Sequence, residues 1–101
     1  GGLVSSRIII KTNAATNSPV RLAPQGTYAT SLTIIGNKAA RTANTGTVYI
    51  GPTSTDDAQP IAIATGTTVT ITCATGEWID LYEWYLDVAT ANDGVVIVYT
   101  Q

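Results

Sequence analysis

Apolar and polar positions alternate with a period of two along most of the chain, and no segment holds an apolar period of about 3.6 residues long enough for a helix. The clearest alternation runs from Thr67 to Cys73. Val69, Ile71 and Cys73 fall on one face, and Thr68, Thr70 and Thr72 on the other, as in a half-buried strand. Similar patterns predict strands over Leu3 to Lys11 (Val4, Ser6, Ile8 and Ile10 on one face), over Val20 to Leu22, and over Thr27 to Ile35 (Tyr28, Thr30, Leu32 and Ile34 on one side). Further strands are predicted over Gly46 to Gly51, with Val48 and Ile50 opposite Tyr49, and over Pro60 to Ala64, with Ile61 and Ile63 inward. Trp78 to Val88 carries Tyr82, Trp84, Leu86 and Val88 as one alternating set. The last strand, Val95 to Thr100, is apolar on both faces: Val95, Ile97 and Tyr99 against Val96 and Val98.

Turn residues separate these runs. Ala23-Pro24-Gln25-Gly26 reads as a type I turn, with Pro second and Gly fourth. Thr65-Gly66 and Ala74-Thr75-Gly76-Glu77 read as turns, Asn92-Asp93-Gly94 as a hairpin-type turn, and Gly36 to Thr45 as a loop carrying Lys38 and Arg41. Many Thr, Val and Ile favour pleated strands. The expectation is an all-β chain: a single domain over residues 1–101, built as a small jelly-roll-like antiparallel β-sandwich of about eight strands. An immunoglobulin-like sandwich is the alternative, without the Cys…Trp…Cys framework of antibody domains.

Composition narrows the function. Five Lys and Arg against seven Asp and Glu leave a net charge of −2, so no basic patch is available for nucleic acid. No apolar run is long enough to span a membrane, and Gly1 to Ser6 does not read as a signal peptide. The lone Cys73 suits synthesis in a reducing cytoplasm and reads as a small buried hydrophobe. Histidine is absent, which removes His-based nucleophile activation and His-based metal sites.

The remaining chemistry lies in acids and aromatic rings. Asp56-Asp57 sits in a polar loop, and Asp80, Glu83 and Asp87 cluster later; neither group has the spacing of a calcium-binding EF-hand, so the expectation is solvated acids, no metal and no cofactor. Glu77, Asp80, Glu83 and Asp87 invite a glycosidase reading, but short sandwich loops leave little room for a sugar groove, and the expectation is no enzyme. Asp80, Glu83 and Asp87 could instead pair with Lys or Arg across a subunit boundary. Among Trp78, Tyr82, Trp84 and Tyr85, core packing is the default for Trp84, while Tyr85 points the other way and is a surface candidate. The two-sided apolar strand fits either a covered central strand or an oligomer interface, which makes Val96 and Val98 interface candidates beside Tyr85. The Thr68, Thr70 and Thr72 row reads as a solvated face able to add hydrogen bonds to a docking surface.

Four segments carry a resemblance: Val20-Arg21-Leu22-Ala23-Pro24, Asn44-Thr45-Gly46-Thr47-Val48-Tyr49-Ile50-Gly51, Asp80-Leu81 with Trp84-Tyr85-Leu86-Asp87, and Gly94-Val95-Val96-Ile97-Val98-Tyr99. In this order, from about Pro19 onward, the chain resembles tailed-bacteriophage capsid decoration (cement) proteins and other small virion surface proteins. The resemblance implies a jelly-roll or related sandwich, often trimeric, docked on the major capsid protein outside the shell, and no catalytic residues. It places the protein on the virion surface after synthesis in the host cytoplasm. A head-fibre or tail-associated module that recognises a host surface glycan is the alternative, decided by whether Trp78, Tyr82 or Tyr85 is exposed on a concave face.

Overall fold

The computed structural model describes residues 6–101. Leu3, Val4 and Ser5 of the first expected strand lie outside them. The chain is all-β. Two four-stranded antiparallel sheets face each other across the core. Sheet A has the order β1 (Ser6–Thr12), β12 (Gly94–Thr100), β4 (Ser31–Ile35), β9 (Thr68–Thr72). Sheet B has the order β2 (Val20–Arg21), β11 (Tyr85–Val88), β7 (Val48–Gly51), β8 (Ile61–Ile63). The first of these eight strands pairs with the last, the second with the seventh, the third with the sixth and the fourth with the fifth. The pairing is that of one long hairpin folded across the two sheets of a small β-sandwich. Two small ribbons complete the fold: β3 (Tyr28–Ala29) with β10 (Ile79–Asp80), and β5 (Asn37–Ala39) with β6 (Thr42–Ala43).

The period of two explains the core. In sheet A, Ile9, Ile97, Ile34 and Val69 stand opposite one another in one cross-strand row, and Tyr99, Leu32 and Ile71 in the next. These side chains pack against Val48, Ile50, Ile63, Leu86 and Val88 of sheet B. Tyr49 points outward between Val48 and Ile50, as the alternation predicts. β12 is buried along most of both faces because it is the second strand of its sheet, flanked by β1 and β4, while β5 lies against it and reaches β1.

Several expected elements differ, each for a tertiary reason. Thr27 to Ile35 is two strands, not one. Tyr28 and Ala29 pair with β10, whereas Thr30 turns into sheet A, donating its amide to Thr100 O and accepting from the Cys73 amide. Trp78 to Val88 is also broken. Asp80 accepts a hydrogen bond from the Tyr82 amide and caps a 3-10 turn, Leu81–Glu83, that carries the chain into β11. Gly36 to Thr45 is not an irregular loop but contains the β5–β6 ribbon. Gly26 takes φ +83° as the third residue of a turn from Pro24 to Thr27, the sign of a type II turn rather than type I. Asn92-Asp93-Gly94 does turn, with Asn92 at φ 72°, but makes no hairpin: β11 belongs to sheet B and β12 to sheet A. Cys73 is half-buried, not buried.

That inter-sheet turn is held by buried polar side chains. The Asp93 carboxylate, 1% exposed, accepts from the amides of Thr45 (3.0 Å) and Gly46 (2.8 Å). Asn44 makes a reciprocal pair with Gly94, donating to its carbonyl (2.7 Å) and accepting from its amide (2.9 Å). The Asn13 side chain donates to the carbonyls of Ser18 and Leu86, and its main chain bonds Asn92 and Asp93. The loops after β1, β6 and β11 thus meet at one point. Gly94 must stay small there, because a Cβ would run into the Lys11 carbonyl.

Asp93→Ala removes two bonds to a charged acceptor and strands two amides. It should cost about 3 kcal/mol, lowering the melting temperature by on the order of 10 °C or more. Circular dichroism melts of the two proteins check this, and Asp93→Asn should fall between them.

Candidate functional site

The outer face of sheet A carries two of the exposed large apolar side chains, Ile8 and Ile10, side by side on one strand face. β1 reads Ser-Arg-Ile-Ile-Ile-Lys-Thr, so sending Ile9 inward necessarily sends Ile8 and Ile10 outward. Ile8 is 66% exposed and Ile10 is 48% exposed. One outer row runs Ile8, Val98, Thr33, Thr70, and the next runs Ile10, Val96, Ile35, Thr68. The face is therefore apolar on its β1–β12 side and hydroxyl-bearing on its β4–β9 side. Val98 and Ile35 are half-exposed, whereas Val96 is only 4% exposed. Of the expected pair, Val98 presents surface and Val96 mainly supports its neighbours. Ile8 and Ile10 carry more of the face, and the alternation on β1 was the signal for them. β1 is also an edge strand, with its outer side unpaired in the sheet.

Tyr85 lies elsewhere. It stands on the outer face of sheet B, so the two valines and Tyr85 occupy opposite sides of the sandwich. Arg21 holds it in place. The guanidinium sits 3.7 Å from the Tyr82 ring centroid and 5.0 Å from that of Tyr85, and donates to the Tyr82 carbonyl. Glu83 approaches the same guanidinium at 4.0 Å, the one ion pair among the described residues, and it lies within the chain.

Trp78 is 62% exposed and lines an open hollow of about 390 Å³ with Tyr28, Thr30 and Gln101. Tyr28 reaches this hollow because its strand leaves sheet A at Thr30 and pairs with β10. Trp84 packs half-buried against the core, as expected.

Glu77, Asp80, Glu83 and Asp87 do not gather in one cleft. Glu83 goes to Arg21, Asp80 caps the 3-10 turn and Glu77 is exposed. Asp87 instead joins Asp56 and Asp57, with carboxylate oxygens of all three within 4.8 Å of one another. The loop between β7 and β8 brings this about. Thr53 Oγ1 accepts from the Thr55 amide, Ala58 bonds back to Thr55, and Asp57 adopts φ +64°, which curls the loop over β11. Gln59 ties it down by donating to the carbonyls of Thr53 (2.7 Å) and Thr55 (3.0 Å). Asp57, Gln59, Asp87 and Tyr49 line a cleft of about 330 Å³.

Asp87 is 5% exposed, and its Oδ1 has no hydrogen-bond partner. Burial pushes its carboxyl above the ordinary value; the main-chain amides of Asp57 and Val88 oppose the rise, and the charges of Asp56 and Asp57 add to it. A raised folded-state value means the folded protein holds this proton more tightly than the unfolded chain. Ionised Asp87 therefore weakens the fold, increasingly as pH climbs from about 4 through the raised value. In buffer free of divalent cations, Asp87→Asn should raise the melting temperature by a few degrees at pH 7, and the gain should vanish as pH falls toward 4. Thermal melts across that range check both.

No protein family, no curated protein and no solved structure matches the chain.

Proposed function

We propose that the chain is a virion structural protein, a decoration module that docks on the outer surface of a tailed-bacteriophage capsid and stabilises the head. The observation that carries the reading is the outer face of sheet A, where Ile8 and Ile10 stand open beside Val98 and Ile35 and next to a row of threonine hydroxyls. The four sequence segments that resemble decoration proteins support it. An exposed, contiguous apolar strip rimmed by polar groups is the usual mark of a protein contact. Burying it against the major capsid protein would remove apolar area from water at about 25 cal/mol per Å². Many copies on a repeating lattice make modest single contacts effective, and contacts that bridge neighbouring shell subunits oppose rupture from packaged DNA. A trimer about a symmetry axis is part of the proposal; Arg7 and Lys11, flanking the three isoleucines on β1, discourage uncontrolled pairing of this edge strand. The mechanism is mechanical and uses no catalytic group.

A second reading has its own observation. The hollow between Trp78 and Tyr28 offers open aromatic rings at which a sugar could stack, which favours a glycan-binding head-fibre or tail module.

Quantitative mass spectrometry of purified virions separates the readings. Decoration predicts a copy number in fixed ratio to the shell subunit, in the hundreds per particle (on the order of the capsomer count). Ile8→Asp/Ile10→Asp, which leaves the core rows intact, should fold and yet fail to load onto particles lacking the protein. A few copies per virion, or undiminished loading of the double variant, would overturn the proposal. Glycan-array binding abolished by Trp78→Ala would establish the second reading instead.

A further inference from the structure

We propose that Asp56, Asp57 and Asp87, together with the side-chain carbonyl of Gln59, form a binding site for a calcium ion on the outer side of sheet B. Three observations converge. The first is geometric: carboxylate oxygens from all three aspartates lie within 4.8 Å of one another. Oxygens bound to one calcium sit on a sphere of about 2.4 Å radius, so no two are more than about 4.8 Å apart. The second is the state of the buried acceptors. Asp87 Oδ1 and Gln59 Oε1 are the two buried side-chain polar atoms without a hydrogen-bond partner among the described residues, and both residues line the same cleft. The Gln59 amide orientation is not free: Nε2 donates to two loop carbonyls, which leaves Oε1 as the open acceptor. Buried acceptors are ordinarily satisfied, and two orphans in one cleft call for a cation or its waters.

The third observation is charge. Three carboxylates meet with no Lys or Arg in the cleft lining; the one ion pair among the described residues, Arg21–Glu83, lies elsewhere. An uncompensated acidic group beside a buried carboxylate is costly unless a cation joins it. The donor set is all oxygen, without nitrogen or sulfur, which selects a hard cation. Several carboxylates and an amide carbonyl from a loop and a strand suit calcium, which accepts about six to eight oxygens in flexible geometry. Magnesium instead holds most of its waters and takes one or two carboxylates. Because the cleft is open, water can complete the shell. The ion would lock the β7–β8 loop onto β11, tying a long excursion to the sheet.

The test uses the full chain, stripped with chelator and dialysed. Calorimetric titration with calcium chloride should give one ion per chain. The melting temperature should rise by several degrees in about 10 mM calcium relative to chelator. Asp57→Asn, an exposed position that leaves the core untouched, and Asp87→Asn should each weaken binding tenfold or more and remove most of the thermal shift. Glu77→Gln, an exposed acid outside the cleft, should change neither. A titration with no saturable heat and no thermal shift would overturn the proposal. So would binding that survives both aspartate variants, or magnesium binding as tight as calcium. The outcome is independent of capsid docking, which was assigned to the opposite face and is read by particle loading.

Discussion

Everything in this fold depends on carrying the chain from sheet B into β12 at the Asn92-Asp93-Gly94 turn. β12 is the strand on which sheet A is assembled, with β1 on one side and β4 on the other. Its start is set by Asp93, whose buried carboxylate gathers the amides of Thr45 and Gly46, and by Asn44, which completes both main-chain groups of Gly94. Asn13 draws the β1–β2 connection into the same point and reaches across to Leu86. Three loops distant in sequence are thereby closed over one end of the sandwich. A fully satisfied buried network of this kind specifies one arrangement, since any slip of β12 would leave several buried groups unpaired.

Once β12 is placed, the period of two divides the molecule's surfaces. Its inner face joins Ile9, Ile34 and Leu32 in the core, and its outer face lies among Ile8, Ile10 and Ile35. The two outer faces then differ in character. That of sheet A is apolar grading into hydroxyls. That of sheet B is polar, with Arg21 stacked on tyrosine rings toward one edge and three aspartates near Tyr49. A domain this small buries only about two-thirds of the surface its unfolded chain exposes, so covering the apolar face by a partner is a physically natural completion. The two proposals follow this asymmetry: a protein contact on one side, a cation clamp on the other.

Much of the fold was legible in the sequence because alternation survives where a strand is half-buried. Thr68 to Thr72 and Val48 to Gly51 read directly, while the two-sided apolarity of Val95 to Thr100 fits a covered central strand and an oligomer interface equally. The breaks at Thr30 and at Leu81–Glu83 were not legible, because alternation continues across both while the pairing partner changes. The site was less legible still. Tyr85 was separated from Val96 and Val98 by the sheet to which each belongs, and that depends on long-range pairing. In sequence Asp87 groups with its neighbours Asp80 and Glu83, but strand pairing sets it beside Tyr49, under the loop that holds Asp56 and Asp57. Nothing local in Leu86-Asp87-Val88 signals that an acid on an outward position will be covered by a loop 30 residues earlier.

The proposed docking places the contact with the capsid on the outer face of sheet A. Hydrogen exchange of the chain, free and loaded on particles, reads that contact strand by strand. Docking through this face should slow exchange in β1 and the neighbouring sheet A strands and leave β7, β11 and the Trp78 turn unchanged. Protection at β7 and β11 or around Trp78, with β1 exchanging as freely as before, would rule that contact out.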